Sequence, residues 1–245
     1  MSFLIKSKLV LGGALSLRDI KLILDYRLNK RCGFMFNSEK LSYFFHSYNN
    51  FRLTERAIEI PIIKFFLQKG NYENVLEIGN VANYYYEFFK EVFKKKTVVD
   101  KYEYAYDIIQ KDICQYVPTT RFDFVMSIST FEHMDSDLGR NPEYTKGKSK
   151  LISIAADNIK YVSDYLLKEG GKFVLTAPLS YTPEWDATFF SDVFNKCNFI
   201  GHKAYVFKKI SELTWLQIDM DEAKRIPFNY QLPWVNYLSV VEFWK

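Results

Sequence analysis

The sequence has few of the residues that build metal centres and disulfide frameworks. Its 245 residues include three histidines and three cysteines, Cys32, Cys114 and Cys197. The cysteines are odd in number, far apart and without C-x-x-C spacing, which argues against both a disulfide framework and a zinc site. Unpaired cysteines are typical of a reducing compartment. We therefore expect a cytoplasmic protein that binds no metal.

Long apolar runs are missing as well, since the sequence contains none that could span a bilayer. Residues 9–17 follow Lys6 and Lys8 and resemble a short secretory signal. This run contains Gly12 and Gly13, has no convincing small-residue cleavage site and is followed at once by charged residues. We therefore expect neither a signal peptide nor a membrane partner.

The sequence shows no strong excess of charge of one sign. Lysine and arginine number 33 and aspartate and glutamate 29, which gives a formal net charge of +4 at pH 7. The basic run at residues 94–96 is expected at the end of a helix, where cations offset the helix dipole. Nucleic-acid-binding domains carry a broader basic stripe. We expect no nucleic-acid partner.

What the sequence does contain is the pattern of an α/β domain. Hydrophobic residues make up 48% and aromatic residues 18% of the chain, which is enough for a sizeable core. Strand patterns at residues 75–78, 111–113, 122–129 and 172–177 alternate with helix patterns, which indicates a parallel sheet with right-handed crossovers. A last strand at residues 237–244 follows other strand signals without a helix between them, so we expect it to be antiparallel.

We assign residues 51–245 to this domain and residues 1–50 to a helical extension, because the length suits one domain with an extension better than two domains. Apolar residues recur in the extension at helical spacing, at Leu17, Ile20, Ile23 and Leu24. Such a stripe usually faces a core, so we expect a helix packed on the domain. A lid over the active site or a dimer contact is the alternative, and the oligomeric state is left open.

Residues 74–100 organise the rest of the chain. They predict a buried strand, a turn opened by Gly79, a helix over residues 84–96 and a second strand that ends on Asp100. This order is the first half of a nucleotide-binding sheet, in which the terminal acid accepts hydrogen bonds from ribose hydroxyls. A pyrophosphate cradle would need G-x-G-x-x-G, and Gly79 stands alone. A nucleoside without a pyrophosphate therefore fits better than a dinucleotide.

Several motifs follow one another in a fixed order: V-L-E-I-G at 75–79, V-V-D at 98–100, K-D-I at 111–113, F-D-F-V-M-S at 122–127 and G-G-K at 170–172. Their order and spacing resemble a class I S-adenosylmethionine-dependent methyltransferase over residues 51–185. More narrowly, TERAIEIP, LEIGNV, VVDKYE, SISTFEH and APLSYTPEWD resemble a poorly characterised subgroup associated with saccharide or small-molecule modification. The resemblance implies a Rossmann-like three-layer sandwich with a mostly parallel seven-stranded sheet and an antiparallel C-terminal strand.

The resemblance also implies roles for individual residues. Asp100 would bind the ribose hydroxyls, Asp112 and Ile113 would meet the adenine, and Ser127 and Ser129 would face the sulfonium and the acceptor. The cofactor-binding set is completed by Glu77, Gly79, Asn80 and Lys101, of which Glu77 and Gly79 line the methionine and ribose side. Gly79 is expected there because a Cβ would collide with the ligand.

Glu132 and His133 are the candidate catalytic pair. Histidine has an ordinary pKa near neutrality and could take a proton from an acceptor hydroxyl; the alternative is a histidine that only anchors the following loop. Tyr144, Tyr181 and Trp185 are expected on loops at the same face, where aromatic side chains could line an acceptor pocket.

The chain departs from the family pattern E/D-x-G-x-G-x-G, because Val81 and Asn83 replace the second and third glycines. Either Asn80 or Asn83 caps a wider turn, or cofactor binding is weakened or lost. We consider three functions. We favour methyl transfer to a small molecule, with a hydroxyl of a saccharide or secondary metabolite as the expected acceptor, over a non-catalytic binding or regulatory protein on the same scaffold. A nicotinamide oxidoreductase comes third because the glycine-rich turn is absent.

Overall fold

The computed structural model describes residues 33–49, 54–134, 151–211, 214–227 and 235–245. The strands are β1 (Gly33–Phe36), β2 (Glu39–Ser42), β3 (Asn74–Ile78), β4 (Lys95–Asp100), β5 (Ile108–Gln110), β6 (Phe122–Ile128), β7 (Leu167–Leu179), β8 (Gly201–Ser211), β9 (Thr214–Ile218) and β10 (Tyr237–Trp244). The α-helices are α1 (Arg56–Lys69), α2 (Tyr86–Phe89), α3 (Leu151–Tyr161), α4 (Pro183–Phe189) and α5 (Met220–Ala223). No helix within these ranges is long and apolar enough to cross a membrane.

The main sheet has eight strands in the order β5-β4-β3-β6-β7-β10-β8-β9. Neighbouring strands from β5 to β7 are parallel. Strand β10 runs antiparallel between β7 and β8, and β9 is antiparallel to β8. This arrangement confirms the predicted α/β class and the antiparallel C-terminal strand. The sheet has one strand more than predicted because β9 pairs with the outer edge of β8.

The order of the sheet reverses at β3. The chain moves from β3 outward to β4 and β5, and then returns to the other side of β3 with β6. Ligands of open α/β sheets bind beyond the carboxyl ends of the strands at such a switch point. The topology therefore places the site where β3, β4 and β6 end.

Both faces of the central sheet are covered. All seven residues of β6 are buried, and its side chains alternate between two cores, as the period of a strand requires. Phe124 and Met126 pack with α1 on one face, and Val125 packs with α3 and α4 on the other. The result is a sheet between two layers, which is the predicted three-layer sandwich.

Helix α1 runs through Pro61 without a break. A proline has no N–H to donate to the carbonyl oxygen four residues earlier, here that of Ala57. The backbone N–H of Phe44 donates to this oxygen instead, at 2.9 Å. The missing helical bond is thus replaced by one that ties the chain after β2 to α1.

The predicted helical extension is wrong in the part that the structure describes. Residues 33–42 form the antiparallel hairpin β1–β2, because Phe34 and Phe36 point inward and Met35 points outward with the period of a strand. Residues 1–32 lie outside the described residues. The division of the chain at residue 50 stays a prediction.

The helix predicted over residues 84–96 is also much shorter in the structure. A 3₁₀ turn, Ala82–Tyr85, leads into the single turn of α2, and β4 already begins at Lys95. Parallel pairing with β3 sets this start, since Lys95 is opposite Asn74. The basic run at 94–96 therefore lies largely in a strand and not at the end of a helix.

The third predicted strand is displaced along the chain. Strand β5 covers Ile108–Gln110, before the predicted residues 111–113. Asp112 instead precedes a 3₁₀ turn, Ile113–Gln115, and its Oδ1 accepts a hydrogen bond from the N–H of Cys114 at 3.1 Å. Because Asp112 caps this helical turn, it lies after the strand and not within it.

The hairpin is expected to contribute to stability through Phe36. Its ring is fully buried and lies 4.8 Å to 6.1 Å from the rings of Phe65, Phe66, Tyr205 and Phe207, centroid to centroid. Phe36→Ala should lower the free energy of unfolding by about 3–5 kcal/mol because it leaves a cavity in the core. Urea titration followed by circular dichroism measures this change.

The matched control is Met35→Ala on the same strand, whose side chain is 54% exposed. This change should cost no more than about 0.5 kcal/mol. Equal effects of the two substitutions would show that the hairpin does not share the core of the domain.

Candidate active site

A cavity of about 710 Å³ opens at the carboxyl ends of β3, β4 and β6. Among the predicted site residues, those that line it are Gly79, Asn80, Asp100, Lys101, Asp112, Ile113, Ser129 and His133. Further lining residues are Tyr48, Arg56, Ile78, Val81, Tyr84, Val99, Tyr102, Glu103, Lys111, Thr130, Met134, Ile154 and Asn158. The structure thus brings most of the predicted cofactor residues together in one place.

Gly79 begins the turn after β3 with a φ of +86°. A Cβ at this position would lie 2.2 Å from Oγ1 of Thr130, which follows the neighbouring strand β6. The sequence predicts a collision with a ligand, but the first obstacle is this side chain. Gly79 is required because the ends of β3 and β6 approach each other closely and because the backbone is left-handed.

Glu77 closes the turn. Its Oε1 accepts hydrogen bonds from the backbone N–H groups of Val81 at 2.9 Å and Ala82 at 2.5 Å, and its Oε2 lies 2.8 Å from Nζ of Lys96. The carboxylate is 1% exposed and lies behind the wall of the cavity. The predicted cofactor contact of the Glu77 side chain is therefore corrected: its oxygens hold the turn.

Neither predicted asparagine caps the turn. Oδ1 of Asn83 accepts a hydrogen bond from Nζ of Lys96 at 2.6 Å, and Nδ2 of Asn80 donates to Oε2 of Glu103. The N–H groups that a cap would satisfy are already bonded to Glu77. The turn is stabilised by the acid of the preceding strand and closes with Val81 and Asn83 at the two glycine positions.

Asp100 ends β4, where it stabilises the following turn and lines the cavity. Its Oδ1 accepts hydrogen bonds from the backbone N–H groups of Tyr102 and Glu103, each at 2.8 Å. The side chain also lines the cavity. Asp112 lines it at the tip of β5, where its Oδ2 lies 3.4 Å from Nζ of Lys101. Two carboxylates therefore stand at the tips of adjacent strands, as predicted.

Glu103 connects the turn after β3 with the turn after β4. Besides Asn80, it accepts a hydrogen bond from the hydroxyl of Tyr84 at 3.0 Å. This bond to a carboxylate raises the pKa of Tyr84. The ring of Tyr84 stacks on that of Tyr48 with 4.7 Å between centroids. Sequence reasoning missed all three residues, although an acid three positions after Asp100 was a signal.

The two serines at the end of β6 differ in position. Ser127 is fully buried and donates to the carbonyl oxygen of Ile78 at 3.1 Å, so it joins β6 to β3. Its predicted contact with the sulfonium is corrected accordingly. Ser129 lines the cavity with a left-handed φ of +40°. Its hydroxyl donates to Oε1 of Glu59 at 2.6 Å, which leaves its lone pairs as acceptors.

A buried charge network supports the floor of the cavity. Glu59 on α1 is fully buried and accepts hydrogen bonds from Ser129, from Thr176 at 2.7 Å and from Nη1 of Arg56 at 2.5 Å. Burial opposes the charge of Arg56, but Glu59 and Glu55 outweigh it and raise its pKa above the ordinary value. Arg56 therefore presents a fixed positive charge to the cavity.

His133 lines the cavity, and Glu132 lies behind it. Nε2 of His133 is 3.7 Å from Oε1 of Glu132. Burial, assisted by the charge of Arg56, lowers the pKa of His133. Burial raises the pKa of Glu132 well above its ordinary value, and the Glu59 carboxylate adds to this effect. At neutral pH the site thus holds a neutral imidazole, which is able to accept a proton.

Tyr181 and Trp185, the two predicted acceptor residues within the described ranges, do not line a common pocket. The ring of Tyr181 is about half exposed and meets the ring of His133 edge-on at 5.5 Å, but it does not line the cavity. Trp185 lies in α4 and not on a loop; it is buried, with Nε1 donating to Oγ of Ser239 at 3.0 Å. Its assignment to an acceptor pocket is wrong because it belongs to the core. Tyr144 lies outside the described residues.

Other lining residues carried no usable sequence signal. Asn158 and Ile154 belong to the amphipathic helix α3, whose stripe predicts a core face. Asn158 is held by Cys114, whose Sγ donates to its Oδ1 at 2.8 Å. Arg56 opens α1, where nothing distinguishes it from an ordinary surface cation. Within the described ranges, no group of three or more His, Cys, Asp or Glu side chains is arranged to hold a metal ion.

Comparison with protein-family models gives no match, and no curated protein matches the sequence. Solved structures do match. The N-methyltransferase NodS from Bradyrhizobium japonicum WM9, in complex with S-adenosyl-L-homocysteine, is 15% identical, with 78% of this chain and 87% of that chain covered and a TM-score of 0.48.

Two further structures come from other organisms. A SAM-dependent methyltransferase from Archaeoglobus fulgidus is 16% identical, with 75% of this chain and 94% of that chain covered and a TM-score of 0.45. An S-adenosylmethionine-dependent methyltransferase from Clostridium acetobutylicum ATCC 824 is 10% identical over 76% of this chain and 89% of that chain, with a TM-score of 0.39. At such low identity the ligand has to be inferred from the site itself.

A second glycine, Gly170, allows the backbone strain at Gly79 to be distinguished from the steric clash with Thr130. Gly170 also has a left-handed φ, +73°, but a Cβ there would meet no atom within 4 Å. Gly170→Ala should cost about 1–2 kcal/mol of unfolding free energy from the backbone alone. Gly79→Ala should cost about 1–3 kcal/mol more, because the Cβ must displace Thr130. Urea titration of both variants gives the difference, and equal losses would disprove the close contact with β6.

Proposed function

We propose that the protein transfers a methyl group from S-adenosylmethionine to a small-molecule acceptor. The observation that carries the proposal is the turn after β3. The backbone N–H groups of Val81 and Ala82 both donate to the Glu77 carboxylate. In a dinucleotide site these groups would bind phosphate oxygens. Here a buried carboxylate already engages both donors, which opposes a pyrophosphate and supports a nucleoside cofactor without one.

The chemistry of the cavity wall suits the nucleoside part of this cofactor. Asp100 accepts two backbone bonds through Oδ1 and has a second oxygen that could accept from ribose hydroxyls. Asp112 and Ile113 stand at the tip of the adjacent strand, where they would meet the adenine. Gly79 and Asn80 would adjoin the methionine part. A cavity of about 710 Å³ is within the usual size of small-molecule sites.

Bound in this cavity, the cofactor would supply a methyl group on a sulfonium for in-line displacement. The acceptor would be a hydroxyl of a saccharide or secondary metabolite, and His133 would take its proton. Burial and the charge of Arg56 lower the pKa of His133, which keeps the imidazole available as a base. Positioning of the two reactants supplies most of the acceleration in such a displacement.

The alternative of a non-catalytic binding protein rested on the two missing glycines. The turn closes around Glu77 without those glycines, which supports retained cofactor binding. We place the protein in the cytoplasm, in keeping with the free thiols of Cys114 and Cys197 and with their ordinary presence in reducing compartments.

Cofactor binding is tested by calorimetry with S-adenosylmethionine, S-adenosylhomocysteine and NAD. The first two should bind and NAD should not. Asp100→Asn keeps an oxygen for the backbone N–H groups but removes the charge and an acceptor. It should weaken binding of S-adenosylhomocysteine by about tenfold, the value of one charge-assisted hydrogen bond. Asp107→Asn, an exposed acid outside the cavity wall, is the matched control.

Two outcomes would contradict this assignment. Absence of binding by both sulfur nucleosides would remove the proposed function. Unchanged affinity in Asp100→Asn would leave the function standing but refute the ribose contact. Thermal melting of each variant shows whether the turn after β4 is still folded.

The role of His133 is tested once a panel of saccharides and hydroxylated metabolites has yielded an acceptor. His133→Ala should lower kcat by about 10²–10⁴-fold if the imidazole is the general base. In the wild type, kcat should stay constant as the pH falls to the ordinary histidine pKa of 6.5 and decline only below it, because the pKa in the folded protein is lowered.

His202→Gln provides the control, since burial also lowers the pKa of His202 but its ring packs against Phe194 and Phe243 away from the cavity. An undiminished rate in His133→Ala would assign His133 to anchoring of the following loop.

A further inference from the structure

Two stacked tyrosine rings stand at the exposed edge of the cavity. Tyr48 and Tyr84 both line it, with 4.7 Å between the ring centroids and 23° between the ring planes. The two residues are nevertheless 59% and 42% exposed, respectively. Exposed aromatic surface that adjoins a cavity is typical of a ligand-binding surface. The pair, which we call the tyrosine platform, therefore offers a flat aromatic surface beside the candidate active site.

Tyr48 is held in place although it is exposed. Its backbone N–H donates to Nδ1 of His46 at 3.2 Å, and its ring meets the ring of Tyr85 edge-on at 5.9 Å. The next residue, Asn49, accepts a hydrogen bond through Oδ1 from the hydroxyl of the buried Tyr85 at 2.5 Å. Binding normally costs free energy for the ordering of exposed side chains. Because Tyr48 is already ordered, a ligand that stacks on it is spared much of this cost.

The other ring of the platform is tied to the tip of β4. The hydroxyl of Tyr84 donates to Oε1 of Glu103 at 3.0 Å. The backbone N–H of Glu103 in turn donates to Oδ1 of Asp100 at 2.8 Å. The platform thus has a fixed position relative to Asp100, the proposed ribose ligand. A second ligand on the platform would be fixed relative to the cofactor in the same way.

The charges of the cavity wall disfavour a polyanionic ligand on the platform. Among the described lining residues, three basic side chains balance three acidic ones: Arg56, Lys101, Lys111, Asp100, Glu103 and Asp112. Single-stranded nucleic acids also stack on aromatic rings, but they need a positively charged groove for their phosphates. The Glu103 carboxylate, which is bonded to the platform itself, would repel a phosphate. An uncharged ligand therefore fits better.

A pyranose ring has the matching chemistry. Its axial C–H groups form an apolar face, and its hydroxyls stand around the rim. Tyrosine likewise combines an apolar ring face with a polar edge. Beside the platform, Ser129 has free lone pairs and Glu103 is an acceptor, and both can receive hydrogen bonds from sugar hydroxyls. An acyclic polyol has the hydroxyls but lacks the flat apolar face.

We propose that the tyrosine platform binds the acceptor, and that the acceptor is a pyranoside whose C–H face stacks on the ring of Tyr48. This inference rests on the proposed function and narrows its acceptor from hydroxylated small molecules to sugar rings. Tyr48 contacts the acceptor and not the cofactor. Tyr84 supports the ring of Tyr48 from below and links it to the tip of β4.

The test is a saturation-transfer NMR titration of the protein saturated with S-adenosylhomocysteine, so that the cofactor site is filled. The ligands are the methyl glycosides of glucose, galactose, mannose and N-acetylglucosamine, with glucitol as the acyclic counterpart. At least one glycoside should bind, and glucitol should bind about fivefold more weakly or not at all. This ratio is what the loss of one stacking contact predicts.

Substitutions of Tyr48 then separate the ring from its hydroxyl. Tyr48→Ala should weaken binding of the glycoside about fivefold or more, and Tyr48→Phe should stay within about twofold of the wild type because the ring is retained. Calorimetry should give both variants the affinity of the wild type for S-adenosylhomocysteine. Tyr48→Leu, which keeps apolar volume without a flat ring, replaces Tyr48→Ala if melting curves show that the latter is unfolded.

Tyr165→Ala is the matched control. Tyr165 is also an exposed tyrosine, at 57%, and its ring also packs on another tyrosine, Tyr161, at 4.8 Å between centroids. It does not line the cavity. This variant should bind the glycoside and S-adenosylhomocysteine as the wild type does.

Several outcomes would overturn the inference. Binding of glucitol as tight as that of the glycosides, or binding of phenol or an oligothymidylate in place of every glycoside, would assign the platform to another class of ligand. Weaker binding of S-adenosylhomocysteine in Tyr48→Ala would place Tyr48 in the cofactor site. A wild type that binds S-adenosylhomocysteine but no glycoside would refute the platform alone, whereas one that binds neither would refute the proposed function as well.

Discussion

The buried carboxylate of Glu77 is the interaction on which the site depends. It stands at the end of the central strand β3 and binds two N–H groups of the following turn and the ammonium of Lys96 on β4. A buried charge is tolerated only when it is paired and hydrogen-bonded, and all three partners come from segments that border the cavity. One side chain therefore fixes the spacing of β3, its turn and β4.

This arrangement has a chemical consequence for the ligand. A glycine-rich turn leaves its N–H groups to a phosphate, and the helix dipole adds to the attraction. In this protein the acid of the strand uses those donors, and the 3₁₀ turn with the single turn of α2 has little dipole to offer. An acid at this position belongs to the general family pattern, so it does not by itself account for Val81 and Asn83 at the second and third glycine positions. The turn nevertheless closes around Glu77 with these residues in place, and the N–H groups of Val81 and Ala82 are not left for a phosphate.

The elements near the sheet centre could be predicted because their local patterns agree with their tertiary context. The strand ending at Ile78, the left-handed Gly79 and the acid at the tip of β4 all follow from burial, turn chemistry and the period of the sequence. The short α2 was not predicted because the pairing of β4 with β3 overrode the local helical pattern. The hairpin at residues 33–42 was missed because the helical stripe at Leu17–Leu24 was extended to the whole N-terminal segment. Trp185 shows the same limit: a predicted loop suggested a place in the wall of the acceptor pocket, but the side chain is buried and bonded to Ser239 on β10, 54 residues away.

The predicted site residues also differ in how many of their polar side-chain atoms are hydrogen-bonded within the protein. Glu77 and Ser127 use their polar atoms on backbone and lysine partners and lie outside the cavity. Asp100 uses one oxygen for its turn, and Asn80 uses only its nitrogen. A sequence motif contains residues that stabilise the end of the strand as well as residues that face the cavity. Residues that can bind a ligand are those at the cavity wall whose hydrogen-bonding groups are not all used within the protein. A sequence motif does not show which residues these are.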